Sequence, residues 1–97
     1  MPKGYTYILE CGDATYYIGS TIDIERRLVE HQSGNGANYT KNRLPVTLVY
    51  YEVYDRIDDA FYREKQIKKW SQAKKEALIN NDEERLPALA KKVFRSK

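Results

Sequence analysis

The chain has 97 residues, 41% of them apolar, which allows one compact domain with a modest core and leaves too little for two. Lys plus Arg number 17 against 14 Asp plus Glu, a net charge of +3 that suits a nucleic-acid partner without requiring one. Cys11 is the only cysteine, excluding an intramolecular disulfide and a thiolate metal cluster, and no run approaches the roughly 18 apolar residues of a membrane span. The apolar patch ahead of Glu10 and Asp13 is too short for a secretory signal, so a cytoplasmic protein is expected.

Tyr5 to Cys11 alternates, with Tyr5, Tyr7, Leu9 and Cys11 on one face and Thr6, Ile8 and Glu10 on the other, which predicts a strand with Cys11 as a small buried hydrophobe. The turn residues around Gly12 and Asp13 return the chain into a second strand, Thr15 to Gly19, making a β-hairpin. Thr21 or Asp23 offers an N-cap for a helix whose buried stripe contains Ile24 and Leu28 and which stops before Gly34. Residues 33–45, SGNGANYTKNRLP, have loop composition with Lys41 and Arg43 exposed.

Val46 to Tyr54 is the clearest strand, β-branched and aromatic with only Glu52 charged, expected at or beside the centre of a sheet. Asp55 or Asp58 caps a long helix running through Trp70, and Ser71 caps a further segment, QAKKEALIN. Leu86, Leu89, Ala90, Val93 and Phe94 recur at helical spacing and predict a closing helix. The pattern is that of an α+β domain, a three-stranded antiparallel sheet flanked by helices. A single domain over 1–97 is expected, with its core at about 5–80 and a C-terminal helical extension at about 82–97.

The long second helix carries an acid in its apolar stripe. Ile57, Ala60, Phe61 and Ile67 mark the stripe, and helical steps through it land on Glu64, while Arg63, Lys65, Lys68 and Lys69 read as a solvated basic face. A carboxylate turned toward a core needs a partner. That partner is either an ion pair with Arg26 or Arg27, a tyrosine hydroxyl, or a hard cation such as Mg²⁺ or Mn²⁺ completed by water and phosphate oxygens.

The segment YTYILECGDATYYIGSTIDIERRLVEH resembles the opening of the GIY-YIG nuclease family. Its first signature tripeptide appears as Tyr5-Thr6-Tyr7, without the leading Gly and Ile, and its second intact as Tyr17-Ile18-Gly19. The family's helix arginine and histidine match Arg27 and His31, and its metal-binding glutamate matches Glu64 in YREKQIKKW. More narrowly, the run GANYT…P…LVYYE…RE.QIK is similar to the small stand-alone bacterial branch, the UPF0213-like proteins.

This resemblance implies a GIY-YIG-like fold and hydrolysis of a DNA phosphodiester with one divalent metal, Mg²⁺ or Mn²⁺, and no small-molecule cofactor. In that scheme Tyr7 is the general base, Arg27 stabilises phosphoryl charge, and Glu64 holds the metal. His31, on the Arg27 face, relays a proton or orients Tyr7, and Tyr17 bonds a phosphate or the metal's water shell. Gly19 lets the backbone crowd the site. No separate DNA-binding domain is evident, so DNA or RNA would be held by Lys41, Arg43, Lys65, Lys68 and Lys69, with Tyr39 stacking on an unpaired base.

The expected activity is that of an endonuclease or nickase, acting on branched or damaged DNA. The alternative is a nucleic-acid-binding module with weak or no catalysis. Taken singly, each residue has an ordinary explanation: strand aromatics for Tyr7 and Tyr17, a turn at Gly19, an Asp23 ion pair for Arg27, and a helix-end dipole contact for His31.

Overall fold

A computed structural model describes residues 3–80, so the expected closing helix around Leu86 to Phe94 lies outside the described residues. The chain runs β1 (Gly4–Glu10), β2 (Tyr16–Thr21), α1 (Ile24–Gln32), α2 (Asn38–Lys41), β3 (Thr47–Tyr54), α3 (Ile57–Lys68) and α4 (Gln72–Ile79). The strands form one antiparallel sheet in the order β2-β1-β3, with β1 central and β3 beside it. Alternation along β1 divides the core between the two faces of this sheet. Ile8 packs with Ile18 of β2, Ile67 of α3, and Ala77 and Leu78 of α4. Tyr7, Leu9 and Cys11 pack on the opposite face with Val46, against Ile24 and Leu28 of α1 and Tyr39 of α2.

The β1–β2 hairpin closes through Ala14 N–H on the Cys11 carbonyl and Cys11 N–H on the Thr15 carbonyl, 2.9 and 2.8 Å. Between Ile8 and Leu9 the β1–β3 register slips, leaving Val49 outside the one-to-one pairing. The second strand extends past Gly19 to Thr21. Asp23 caps α1 by accepting from Arg26 N–H at 3.1 Å, and Ser71 caps α4 by accepting from Lys74 N–H at 3.2 Å.

Three sequence expectations give way here. Residues 33–45 are not all loop, because Asn38–Lys41 form one helical turn, too short for a hydrophobic period to reveal it. The stretch is also fastened down: Arg43 Nε donates to Asp13 Oδ2 at 3.0 Å, which leaves Arg43 half-buried rather than exposed. Neither Asp55 nor Asp58 caps α3; the cap position is Arg56, without a side-chain bond, and Asp58 instead pairs with Arg56 at 3.0 Å. That helix ends at Lys68, short of Trp70.

The third difference concerns the phase of α3. Its buried residues are Ala60, Arg63, Glu64 and Ile67, while Phe61 is 49% exposed. Arg63 points inward because Glu52 of β3 is itself buried: Arg63 Nε and Nη2 donate to the two Glu52 oxygens at 2.9 and 3.1 Å. Tyr50 and Tyr54, on the same face of β3, donate their hydroxyls to the same carboxylate. The charged residue on the strand and the misassigned arginine on the helix thus satisfy one another.

Candidate active site

Tyr7 lies on the central strand directly opposite Gly19 of β2. A methyl group at position 19 would stand 2.5 Å from the Tyr7 phenol oxygen and 2.6 Å from Cζ, so only glycine lets the ring lie across that strand. The phenol oxygen reaches His31 Nε2 at 2.9 Å, and His31 Nδ1 reaches Thr40 Oγ1 at 2.8 Å. Tyr7, His31 and Thr40 are all buried, and none of His31 or Thr40 meets solvent.

Two features bring His31 there. Its place four residues after Arg27 and three after Leu28 puts it on the inner face of α1, and Gly36 stands against the imidazole where a Cβ would collide with Nδ1 and lie 2.8 Å from Cγ. A helix-end histidine serving only the dipole does not describe this buried ring.

Burial lowers the His31 pKa to about 4, the Arg27 charge adding to the effect and Glu30 opposing it, so the imidazole is neutral at pH 7. Burial also pushes the Tyr7 phenol up to about 12; Arg27 beside it pulls the other way, while Tyr17 and, more weakly, Glu64 push it further up. Arg27 pairs with Glu30 at 2.8 Å rather than with Asp23, which is committed to the helix cap. Glu30, first among the causes, and the Tyr7 oxygen raise the Arg27 pKa against the cost of burial.

Glu64 approaches from α3. Ser20, the residue after Gly19, donates to Glu64 Oε1 at 2.6 Å, and Lys68 Nζ sits 2.7 Å from Oε2. Neither Arg26 nor Arg27 is its partner, because both engage Glu30 on α1. Gly19 and Ser20 are adjacent in β2 and face opposite sides of the sheet, so Tyr7 lies over the first on the α1 side and Glu64 is tied to the second on the α3 side.

The carboxylate fits a hard cation by the chemistry of its surroundings. An ammonium already sits against Oε2, so that oxygen has room for positive charge, and the Lys68 side chain is 52% exposed and able to withdraw. Among the described residues no group of three His, Cys, Asp or Glu could enclose a metal, so the remaining ligands would be water and substrate oxygens, the usual manner of holding Mg²⁺.

Tyr17 borders the same place. Its ring centroid is 5.1 Å from His31 and 6.4 Å from Tyr7, and it stacks on Tyr39 at 6.1 Å. The Tyr39 hydroxyl donates to Thr15 at 2.8 Å and the Arg43 guanidinium covers its ring at 3.8 Å, so Tyr39 is engaged within the fold.

A groove of about 300 Å³ runs beside this pair, lined by Tyr16, Tyr17, Ile18, Tyr39, Lys68 and Lys75. The basic residues expected to act together are split. Lys68 lines that groove, whereas Lys65 and Lys69 line another, of about 350 Å³, with Tyr62 and Trp70. Lys41 is exposed at the end of α2.

Sequence reasoning missed Ser20, Gly36, Thr40 and Lys75. The run Gly36-Ala37-Asn38-Tyr39-Thr40 carried a signal, a glycine and a hydroxyl four residues apart, but no periodicity connected it to His31.

Residues 3–77 match the GIY-YIG catalytic domain. The chain is 53% identical to a UPF0213 protein of Syntrophus aciditrophicus over 89% of its own length and all of the relative's. It is 50% identical to a UPF0213 protein of Halobacterium salinarum, covering 77% of this chain and 97% of that one. Among solved structures, the solution structure of a UPF0213 protein from Bacillus halodurans matches with a TM-score of 0.53 at 41% identity, covering 80% of this chain and 83% of the other. That of a protein from E. faecalis matches with a TM-score of 0.57 at 35% identity, covering 84% and 86%.

Proposed function

The chain belongs to the GIY-YIG family, among its UPF0213 proteins, and from that premise we propose that it is a divalent-metal-dependent endonuclease or nickase hydrolysing DNA phosphodiester bonds. The observation that supports this best is the Tyr7–His31 hydrogen bond, a phenol joined to a neutral imidazole beside Arg27, with the Glu64 carboxylate tied to Ser20, the residue after Gly19 in β2.

In this reading an attacking water gives a proton to the Tyr7 oxygen while the Tyr7 hydroxyl proton passes to His31 Nε2. The new O–P bond forms as the bond to the leaving oxygen breaks, and that oxygen takes a proton from solvent. A phenol with a pKa of about 12 is a poor base if it must ionise beforehand, but not if it hands on its own proton as it receives another. Arg27 donates to the phosphoryl oxygens as their charge grows, a task suited to the guanidinium fork. Glu64 would hold the divalent cation, Mg²⁺ or Mn²⁺, which supplies Lewis-acid shielding of the phosphate when bound. Tyr17 positions a phosphate oxygen, and Gly19 keeps the space over β2 open. Lys68, displaced from Glu64, and Lys41, Lys65 and Lys69, from separate parts of the surface, hold the backbone of DNA, or of RNA, while Arg43 and Tyr39, engaged with Asp13, Thr15 and each other, keep the loop in place.

A second reading, a binding module with little catalysis, is favoured by one observation. Glu64 already has two partners, Ser20 and Lys68.

Nicking of supercoiled plasmid and of a branched oligonucleotide with Mg²⁺ or Mn²⁺ separates the two. Loss of cleavage in both Glu64→Ala and Tyr7→Phe, by about a hundredfold or more with the fold intact, is the result expected of the nuclease. Cleavage absent from the wild type, or equal in all three proteins, leaves the binding module.

A further inference from the structure

Position 40 lies in a segment with no obvious chemistry, yet its hydroxyl is one of the few polar groups wholly withdrawn from solvent. Thr40 Oγ1 makes two bonds: it donates to the Ala37 carbonyl at 3.0 Å and meets His31 Nδ1 at 2.8 Å. A threonine hydroxyl has one hydrogen, and a carbonyl can only accept. With that hydrogen committed to Ala37, the bond to His31 has its proton on Nδ1.

The other side of the ring is consistent with the same assignment. The Tyr7 oxygen faces Arg27, and a guanidinium can only donate, so the phenol's own hydrogen needs a different acceptor. Nε2, 2.9 Å away, is placed to accept it, provided that nitrogen carries no proton.

We propose that Thr40 is a positioning residue that holds His31 in the Nδ1–H tautomer, so that Nε2 presents a lone pair to the Tyr7 hydroxyl. The hydrogen bonds then run in one direction, Tyr7 O–H to Nε2 on one side of the ring and Nδ1–H to Thr40 to the Ala37 carbonyl on the other. The single turn of α2 exists in this view to aim one hydroxyl, and Gly36 clears the approach because any side chain there would strike Nδ1. With the opposite tautomer, Nε2–H would donate to the phenol oxygen, and the Tyr7 hydrogen would be turned away from its acceptor.

The consequence for catalysis rests on the hydrolytic reading above; the tautomer does not. His31 is the chain's only histidine, so ring ¹⁵N shifts of the full-length protein report its tautomer without assignment ambiguity. Wild type and Thr40→Ser are expected to show Nδ1–H. Thr40→Val, which keeps the branched shape but loses the acceptor, is expected to move the population toward Nε2–H. In the same proteins, plasmid nicking should fall about a hundredfold in Thr40→Val with KM for DNA unchanged, and recover in Thr40→Ser.

A wild type carrying Nε2–H overturns the proposal by itself, even if Thr40→Val fails to fold. So does a folded Thr40→Val that keeps Nδ1–H. A wild type with Nδ1–H, lost in Thr40→Val, that cuts no DNA upholds the role of Thr40 and refutes the nuclease reading instead.

Discussion

At the scale of single residues, the site is set by close approach more than by charge. Gly19→Ala puts a methyl group 2.5 Å from the Tyr7 oxygen, and the ring must move out of its bond with His31. The expected result is nicking reduced to background, with a stability loss of about 1–3 kcal/mol in urea denaturation, as for other overpacked sites. The His31 titration gives a second prediction. Its pKa falls from an ordinary value of about 6.5 in the unfolded chain to about 4 in the fold, so the unfolded state binds the extra proton first. The stability this contributes is complete above pH 6.5 and is lost as pH falls toward 4. Melting curves of wild type and His31→Gln should therefore converge over that window; a constant separation would contradict the assignment. The acid limb of nicking should likewise lie well below the ordinary histidine range, because Nε2 can accept a proton until the ring is charged.

At the scale of elements, α3 places two adjacent residues in different service: Arg63 neutralises Glu52 of β3, and Glu64 reaches Ser20 of β2. Arg63 and Glu52 are each 3% exposed, so Arg63→Ala leaves a buried carboxylate with only two tyrosine hydroxyls and should cost about 3–5 kcal/mol. Replacing the pair together, Glu52→Gln with Arg63→Met, should cost less than the arginine alone, and a double-mutant cycle in denaturant measures the difference. This same helix shows where sequence reading stops. Ala60, Glu64 and Ile67 fall on the expected stripe, but Arg63 and Phe61 exchange places because the phase is decided by an acid on a strand eleven residues earlier. Tertiary partners of that kind leave no periodicity. The hairpin, by contrast, was legible apart from its strand ends, since alternation and turn chemistry are local. The one-turn α2 escaped for the opposite reason: it is local but too short to have a pattern.

At the scale of the whole molecule, a three-stranded sheet with α1 and α2 on one face and α3 and α4 on the other brings a strand, two helices and a short turn to one joint in β2. Tyr7, Tyr17, Gly19, Arg27, His31 and Glu64 were nameable from the sequence because motif order survives without knowledge of contacts. Their partners Ser20, Gly36 and Thr40 were not, because a partner is defined only once the chain is folded. No helix among the described residues is long and apolar enough to cross a membrane. With a net charge of +3 and its lysines divided between two grooves, the protein should bind DNA weakly and with a marked salt dependence. Lys68→Gln should flatten the plot of log K against log salt by about one unit of slope, read by fluorescence anisotropy, if that lysine neutralises a phosphate. The two glycines of the site also bear on inheritance. Gly19 and Gly36 wall the Tyr7–His31 pair with hydrogen atoms alone, and every alternative residue is larger, so drift at these positions has only one direction. A lineage could lose this chemistry through the addition of one carbon while the sheet, its core and its outward appearance persist.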